Sequence, residues 1–269
     1  MCVPGCREAV QRALSRRNFF TGAAATAAFA AAGTDPARAQ RTFASVIDLT
    51  HTLSPTFPTF FDAPGITIEK RYSLNRDGAN VNWWHVLEHA GTHLDAPLHY
   101  SDAGAAVELI AAEQLVVPLA VVDVSAKAAR NADYAMNKQD LAEWEAKHGR
   151  LPENCCVAMH AGWAQHVTSA RFVGRDNNGV MHFPGIHSEA TEWLLKERKV
   201  AGLAVDTLSL DHGGSKDFGT HSLWLPAGRW GLENVANLDK VPASGGTLVV
   251  GVPKVKDATG APARIFALV

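Results

Sequence analysis

Hydrophobic residues recur along the chain in short alternating or continuous runs, separated by glycine, proline and polar clusters. That spacing predicts strands more often than helices. The runs are SVIDLT (45–50), ITIEKRYS (66–73), VNWWHVLE (81–88), LAVVDVS (119–125), CVAMHAGW (156–163), AGLAVD (201–206), TLVVGVP (247–253) and ARIFAL (263–268). Two segments carry helical spacing instead. One covers about 138–148, with Asn137 as its cap, Leu141 and Trp144 on one face and Gly149 as its stop. The other covers about 189–198 after Ser188 and turns Ala190, Trp193 and Leu194 inward. A shorter helix is expected to begin near Leu232. Trp83 and Trp84 are consecutive and face opposite ways on a strand, so one is expected in the core and the other toward a site. His85 beside them is expected to pack. Many strands with few helices predict a mixed α/β domain, a mixed sheet or irregular barrel with helices packed outside.

The first 39 residues follow different rules. Arg7, Arg12, Arg16 and Arg17 precede the apolar, small-residue run FFTGAAATAAFAAAG, and Ala37-Arg38-Ala39 is a small-x-small cleavage site. The run is too short and too alanine-rich to span a bilayer securely. Its order of features predicts a cleaved export signal, and Ser15-Arg16-Arg17-Asn18-Phe19-Phe20 resembles the twin-arginine signature, which implies a periplasmic destination. With no internal repeat or low-complexity linker beyond it, residues 40–269 read as one domain.

Composition narrows the function. The chain is 47% hydrophobic and 19% charged, as globular proteins are. Removing residues 1–39 takes away five arginines and two acids and leaves a formal charge of −5. No basic stripe remains for nucleic acid or an anionic membrane, so a small-molecule partner is expected. Cys155 and Cys156 are adjacent in an apolar run, a spacing that fits a disulfide badly, so two buried thiols are expected.

Histidine is the outlier. All 12 histidines lie beyond residue 50, and HAGTHLDAPLHY (89–100) gathers His89, His93, Asp95 and His99. On a straight strand His89 and Asp95 would stand about 20 Å apart, and on a helix they would point apart. A bend at Gly91, followed by the rigid Pro97, can turn several donors inward. Imidazoles with a carboxylate suit Zn(II), Mn(II) or Fe(II) and leave positions open for water. Neither a HExxH helix nor a GxSxG elbow is present.

The segment HAGTHLDAPLH resembles the HxGTHxDxPxH signature of the metal-dependent cyclase-like hydrolases, a family that includes bacterial kynurenine formamidases, isatin hydrolases and a metal-dependent dienelactone hydrolase. DLTHTLSPTFPTF resembles the family's opening strand and substrate loop, AVDTLSLDHG its later strand and loop, and HSLWLPAGRWGLEN its distal ligand pair. The resemblance implies a swivelling β/β/α fold in a homodimer or larger assembly. It implies that His89, His93 and Asp95 bind a first ion, Mn(II) or Zn(II). A second ion would share Asp95 and be held also by His221 and Glu233, which the bare sequence would read as an exposed pair. His99 would be the general acid/base. Phe60 stands where members often carry tryptophan and, with His212, would contact substrate. Asp206, Ser209 and Asp211 fit either a pocket lining or strand-end hydrogen bonding. The reaction implied is hydrolysis of an amide or lactone carbonyl of a small cyclic or aryl substrate. A non-catalytic periplasmic binder of metal or small ligand is the rival, and it would have no use for His99 beside an open site.

Overall fold

A computed structural model describes residues 43–61 and 63–269. The expected export signal lies outside the described residues, and the compact unit they form is Phe43–Val269. The described residues form thirteen strands: β1 (Val46–Asp48), β2 (Ile66–Tyr72), β3 (Val81–Val86), β4 (His93–Asp95), β5 (Val116–Asp123), β6 (Ala135–Met136), β7 (Cys155–His160), β8 (Gly185–Ile186), β9 (Val200–Val205), β10 (Trp230–Glu233), β11 (Gly246–Gly251), β12 (Gly260–Pro262) and β13 (Arg264–Leu268). Nine of them form one mixed sheet in the order β1-β13-β11-β5-β7-β9-β10-β4-β12, strongly curled into a half-barrel. The mixed α/β class expected from the pattern is therefore the one observed.

The middle of the sheet is parallel, β5 to β7 to β9 to β10, and antiparallel strands complete both ends. Parallel strands are covered on both faces, which is why β7 and β9 read as nearly unbroken apolar runs. Alternation then sorts their side chains. Val157 and Met159 enter one core with Leu203, Trp163 and Phe172, while Cys156 and Ala158 enter a second with Ala204, Trp230 and Ile265. Two helices, Lys138–His148 and Ser188–Glu197, cover the first face through Leu141, Trp144, Ala190 and Leu194. The second core is filled from both ends of the sheet, by Leu94 and Ala96 on one side and Leu248 and Ala267 on the other, as the curl requires. Cys155 and Cys156 are buried free thiols. Among the described residues, no helix is long and apolar enough to cross a membrane.

Helix 138–148 starts where expected. The Asn137 side chain accepts from Gln139 N, the Asp140 carboxylate accepts from Asn137 N, and Gly149 ends the helix at φ +86. The second helix is capped one residue earlier than expected, by the His187 ring accepting from Glu189 N, and Arg198 leaves it to grip Glu145 at 2.8 and 2.7 Å.

Three expectations are corrected. No helix begins near Leu232; Trp230–Glu233 is strand β10, because these residues pair with β9 on one side and β4 on the other. Neither Trp83 nor Trp84 enters the core or the site. They are 51% and 68% exposed, because β2 and β3 form a separate two-stranded sheet with no buried face of its own. His85, on the same hairpin, is exposed as well, with Glu69 as its nearest acid at 3.9 Å.

Candidate metal centre and cavity

The bend expected in residues 89–99 is present. Gly91 takes φ +63, a conformation open to glycine, and returns the chain so that His93 and Asp95 share one face of β4. His89 Nδ1 thereby reaches Asp95 Oδ1 at 2.6 Å, although six residues separate them. Pro97 opens a short 3-10 turn that ends at His99.

Asp95 is the centre of the cluster. Its neighbours across β10 and β12 are both glycines, Gly231 and Gly260. A Cβ on Gly260 would lie 2.5 Å from His89 Cε1, so the missing side chain is what admits the imidazole. Gly260→Ala is accordingly expected to push His89 off Asp95 and weaken ion uptake, which a metal titration of the purified variant would read.

Glu233 stands opposite His93 in the β10–β4 register, and its Oε2 lies 3.4 Å from His93 Nε2. His221 comes from the helix Gly219–Trp224. Asp211 accepts from Thr220 N, His221 N and His221 Nδ1, the last at 2.6 Å, and so serves both as helix cap and as ring anchor. The free His221 Nε2 lies 3.2 Å from Glu233 Oε1 and 3.6 Å from Asp95 Oδ2. His93 Nδ1 donates to Gly91 O at 2.8 Å, which likewise turns its Nε2 inward. Side-chain donors fall into two groups that share Asp95, namely His89, Asp95 and His99, and His93, Asp95 and Glu233.

The electrostatics follow from the crowding. Burial opposes a charge on His93, yet Asp95 and Glu233 outweigh it and push the imidazole up to about 10. His221 is likewise raised well above the usual histidine range against its own burial, by Asp211, Asp95 and Glu233. Against their burial, the same contacts hold Asp95 well below the usual carboxylate range and Glu233 below it too. Two buried carboxylates thus require positive charge among them. His93 Nε2 and Asp95 Oδ2 are fully buried without a hydrogen-bond partner, and a cation that displaced the His93 proton would find a lone pair on each. This donor set fits a divalent cation. His99 differs: burial, with His89 and His221 close by, depresses it to about 4, so it is neutral near pH 7. Its ring stacks on His89, with centroids 3.9 Å apart.

Above the cluster lies a cavity of about 230 Å³. Phe60, Tyr100 and Phe218 supply aromatic wall, Leu208 apolar surface, and Ser209 and Asn234 polar edges. The rings of Phe60 and Phe218 are 6.0 Å apart. Phe60 lines this cavity, whereas His212 is not among the lining residues and packs its backbone against Gly185. Asp206 is buried and accepts from Ala161 N and Trp163 N, which pins the loop after β7. Sequence reasoning missed Tyr100 and Phe218. Tyr100 carries a signal in directly following His99, whereas Phe218 carries none.

Comparison with known proteins agrees with this geometry. The family model described as Putative cyclase matches residues 47–212. The isatin hydrolase of Roseibium aggregatum is 32% identical over 244 residues, which cover 83% of this chain and 91% of that protein. The kynurenine formamidase of Delftia acidovorans is 27% identical over 193 residues, 69% of this chain and 78% of that one. The crystal structure of an isatin hydrolase bound to the product analogue thioisatinate superposes with a TM-score of 0.78 at 28% identity, covering 95% of this chain and 99% of that one. With its fold, its histidine-carboxylate cluster and these relatives in agreement, the chain belongs to the Putative cyclase family.

Proposed function

We propose that the protein hydrolyses the carbonyl–nitrogen bond of a small cyclic amide or aryl formamide, with lactones as a related substrate class. One observation carries the reading: a buried cluster suited to a divalent ion forms the floor of a small aromatic-walled cavity, with neutral His99 at its edge. The isatin hydrolase relative, matched over most of both chains, supports the cyclic amide in particular.

His89, His93, Asp95, His221 and Glu233 would hold Mn(II) or Zn(II), as one ion or as two that share Asp95. The bound ion would lower the pKa of its water toward about 7 and polarise the substrate carbonyl. The residues of the chain do the rest. Phe60, Tyr100 and Phe218 hold a planar ring by stacking and edge contacts and exclude bulk water. His99 Nε2 or Nδ1, uncharged at neutral pH, accepts a proton from the attacking water and returns it to the departing nitrogen, which is a poor leaving group until protonated. Metal analysis of the purified protein, paired with a screen of cyclic amides, aryl formamides and lactones, tests the reading. Turnover abolished by a chelator and restored by Mn(II) or Zn(II) is the expected result. A metal-loaded protein that hydrolyses none of them would mark it as a binder.

Two further parts of the reading concern place and assembly. Arg16-Arg17 and the Ala37-Arg38-Ala39 site support twin-arginine export to the periplasm. Changing both arginines to lysine is expected to leave the precursor in the cytoplasm, and periplasmic delivery of that variant would count against the route. Homodimers or larger assemblies belong to the same reading, and the mass of the protein in solution checks them.

A further inference from the structure

The three imidazoles of the centre are anchored in different senses. His93 and His221 are held at Nδ1, by Gly91 O and Asp211 Oδ2, and present Nε2 to the cluster. His89 is reversed. Its Nε2 lies 3.0 Å from Thr259 Oγ1, and its Nδ1 faces Asp95.

The protons can be assigned from Thr259. Its hydroxyl donates to Glu88 Oε2 at 2.5 Å, and its backbone N–H donates to the same oxygen at 3.2 Å. With its one proton committed to Glu88, the Thr259 oxygen can only accept from His89. His89 therefore carries hydrogen on Nε2, and the proton that Nδ1 shares with Asp95 Oδ1 at 2.6 Å is the one a cation would displace, leaving Nδ1 as the inward-facing donor atom. Thr259 is itself fixed, since its carbonyl accepts from Ala96 N, one residue beyond Asp95, and it precedes Gly260 at the start of β12. Glu88 lies just after β3, outside the ligand cluster.

We propose that Glu88 and Thr259 form a positioning relay that fixes the tautomer and ring direction of His89 and raises the donor strength of its Nδ1 toward a divalent ion. The relay rests on the metal-site reading above, but no part of it requires that an amide be the substrate. Anchoring a ligating imidazole through its other nitrogen to a carboxylate raises ligand basicity, and loss of such an outer partner typically costs about 10–100-fold in metal affinity. Here the carboxylate acts through an intervening hydroxyl. Glu88 and Thr259 are positioning residues and touch no reacting atom.

The test measures ion affinity and needs no turnover. The full chain, stripped of metal, is titrated with Mn(II) and with Zn(II) against a chromophoric chelator, and its thermal midpoint is recorded without metal. Thr259→Val removes the hydroxyl and keeps the shape, and affinity is expected to fall about 10–100-fold. Thr259→Ser restores the hydroxyl and is expected to restore the affinity. Glu88→Gln keeps an acceptor but removes the charge, so its affinity is expected to fall between the two. A purely structural role predicts the opposite pattern, a lower metal-free midpoint in Thr259→Val with affinity unchanged. That pattern, or a Thr259→Ser variant as weak as Thr259→Val, overturns the relay. Should Thr259→Val fail to fold, Glu88→Gln decides, and wild-type affinity in that variant overturns the relay too. If the variants rank as expected but the protein hydrolyses no amide, the proposed activity falls and the relay stands.

Discussion

Asp95→Ala is expected to leave the protein without its divalent ion and without measurable turnover. Asp95 is the only residue common to both donor groups, and His89, His93 and His221 all approach its two oxygens. Losing a ligand of this kind should exceed the roughly 10–100-fold penalty of losing an outer partner. The metal-free protein should change as well. Asp95 holds positive charge on its imidazole neighbours, and without it they lose a buried counter-charge. The ion binds the folded chain, so stability should respond to added metal in the wild type and stop responding in the variant. Elemental analysis and thermal midpoints with and without Mn(II) check both effects. Full metal content in Asp95→Ala would remove Asp95 from the ligand set.

His99→Asn should separate chemistry from binding. Asparagine keeps a similar polar shape but cannot shuttle a proton near neutral pH. Turnover is expected to drop about 10²–10⁴-fold, the usual contribution of a positioned acid/base, while metal content holds. The loss should be largest on amides and smallest on esters with good leaving groups, because only the former depend on protonation of the departing atom. The position of His99 makes the metal measurement essential, since it stacks on His89 and shares a donor group with it and Asp95. A variant depleted of metal would make His99 a ligand, and unchanged turnover on an amide would make it a bystander.

Local and long-range residues differed in how far the sequence revealed them. The bend was legible because histidine density, Gly91 and Pro97 all fall within eleven residues, and neither regular element could bring His89 to Asp95. Helix 138–148 was legible because its cap, its buried face and its stop are all local. His221 and Glu233 were not legible from pattern. They meet the cluster through a helix capped by Asp211 and through the β10–β4 register, and only the family resemblance pointed to them. Leu232 misled because four residues are too few to show a period, and their strand identity comes from the neighbours on both sides. Trp83 and Trp84 misled because opposite faces of a strand imply one buried face only when the strand lies on a core, and β3 pairs with β2 alone. Thr259 is a threonine without local context, and nothing in its surroundings in the sequence points to His89.

The place of β4 in the sheet has a consequence for how the centre comes into being. This three-residue strand carries His93 and Asp95, and it is hydrogen-bonded between β10 and β12, both from the far end of the chain. The donor group that includes Glu233 cannot form until β10 has paired with β4, although His89, Asp95 and His99 are neighbours in the chain. Pairings between distant segments are the slow part of folding, because loop closure must come before the contacts that reward it. An ion held by both donor groups therefore binds a chain in which β4 and β10 have already met. Full uptake of metal then reports this long-range pairing, and a chain truncated before β10 keeps the histidine-rich bend but lacks Glu233.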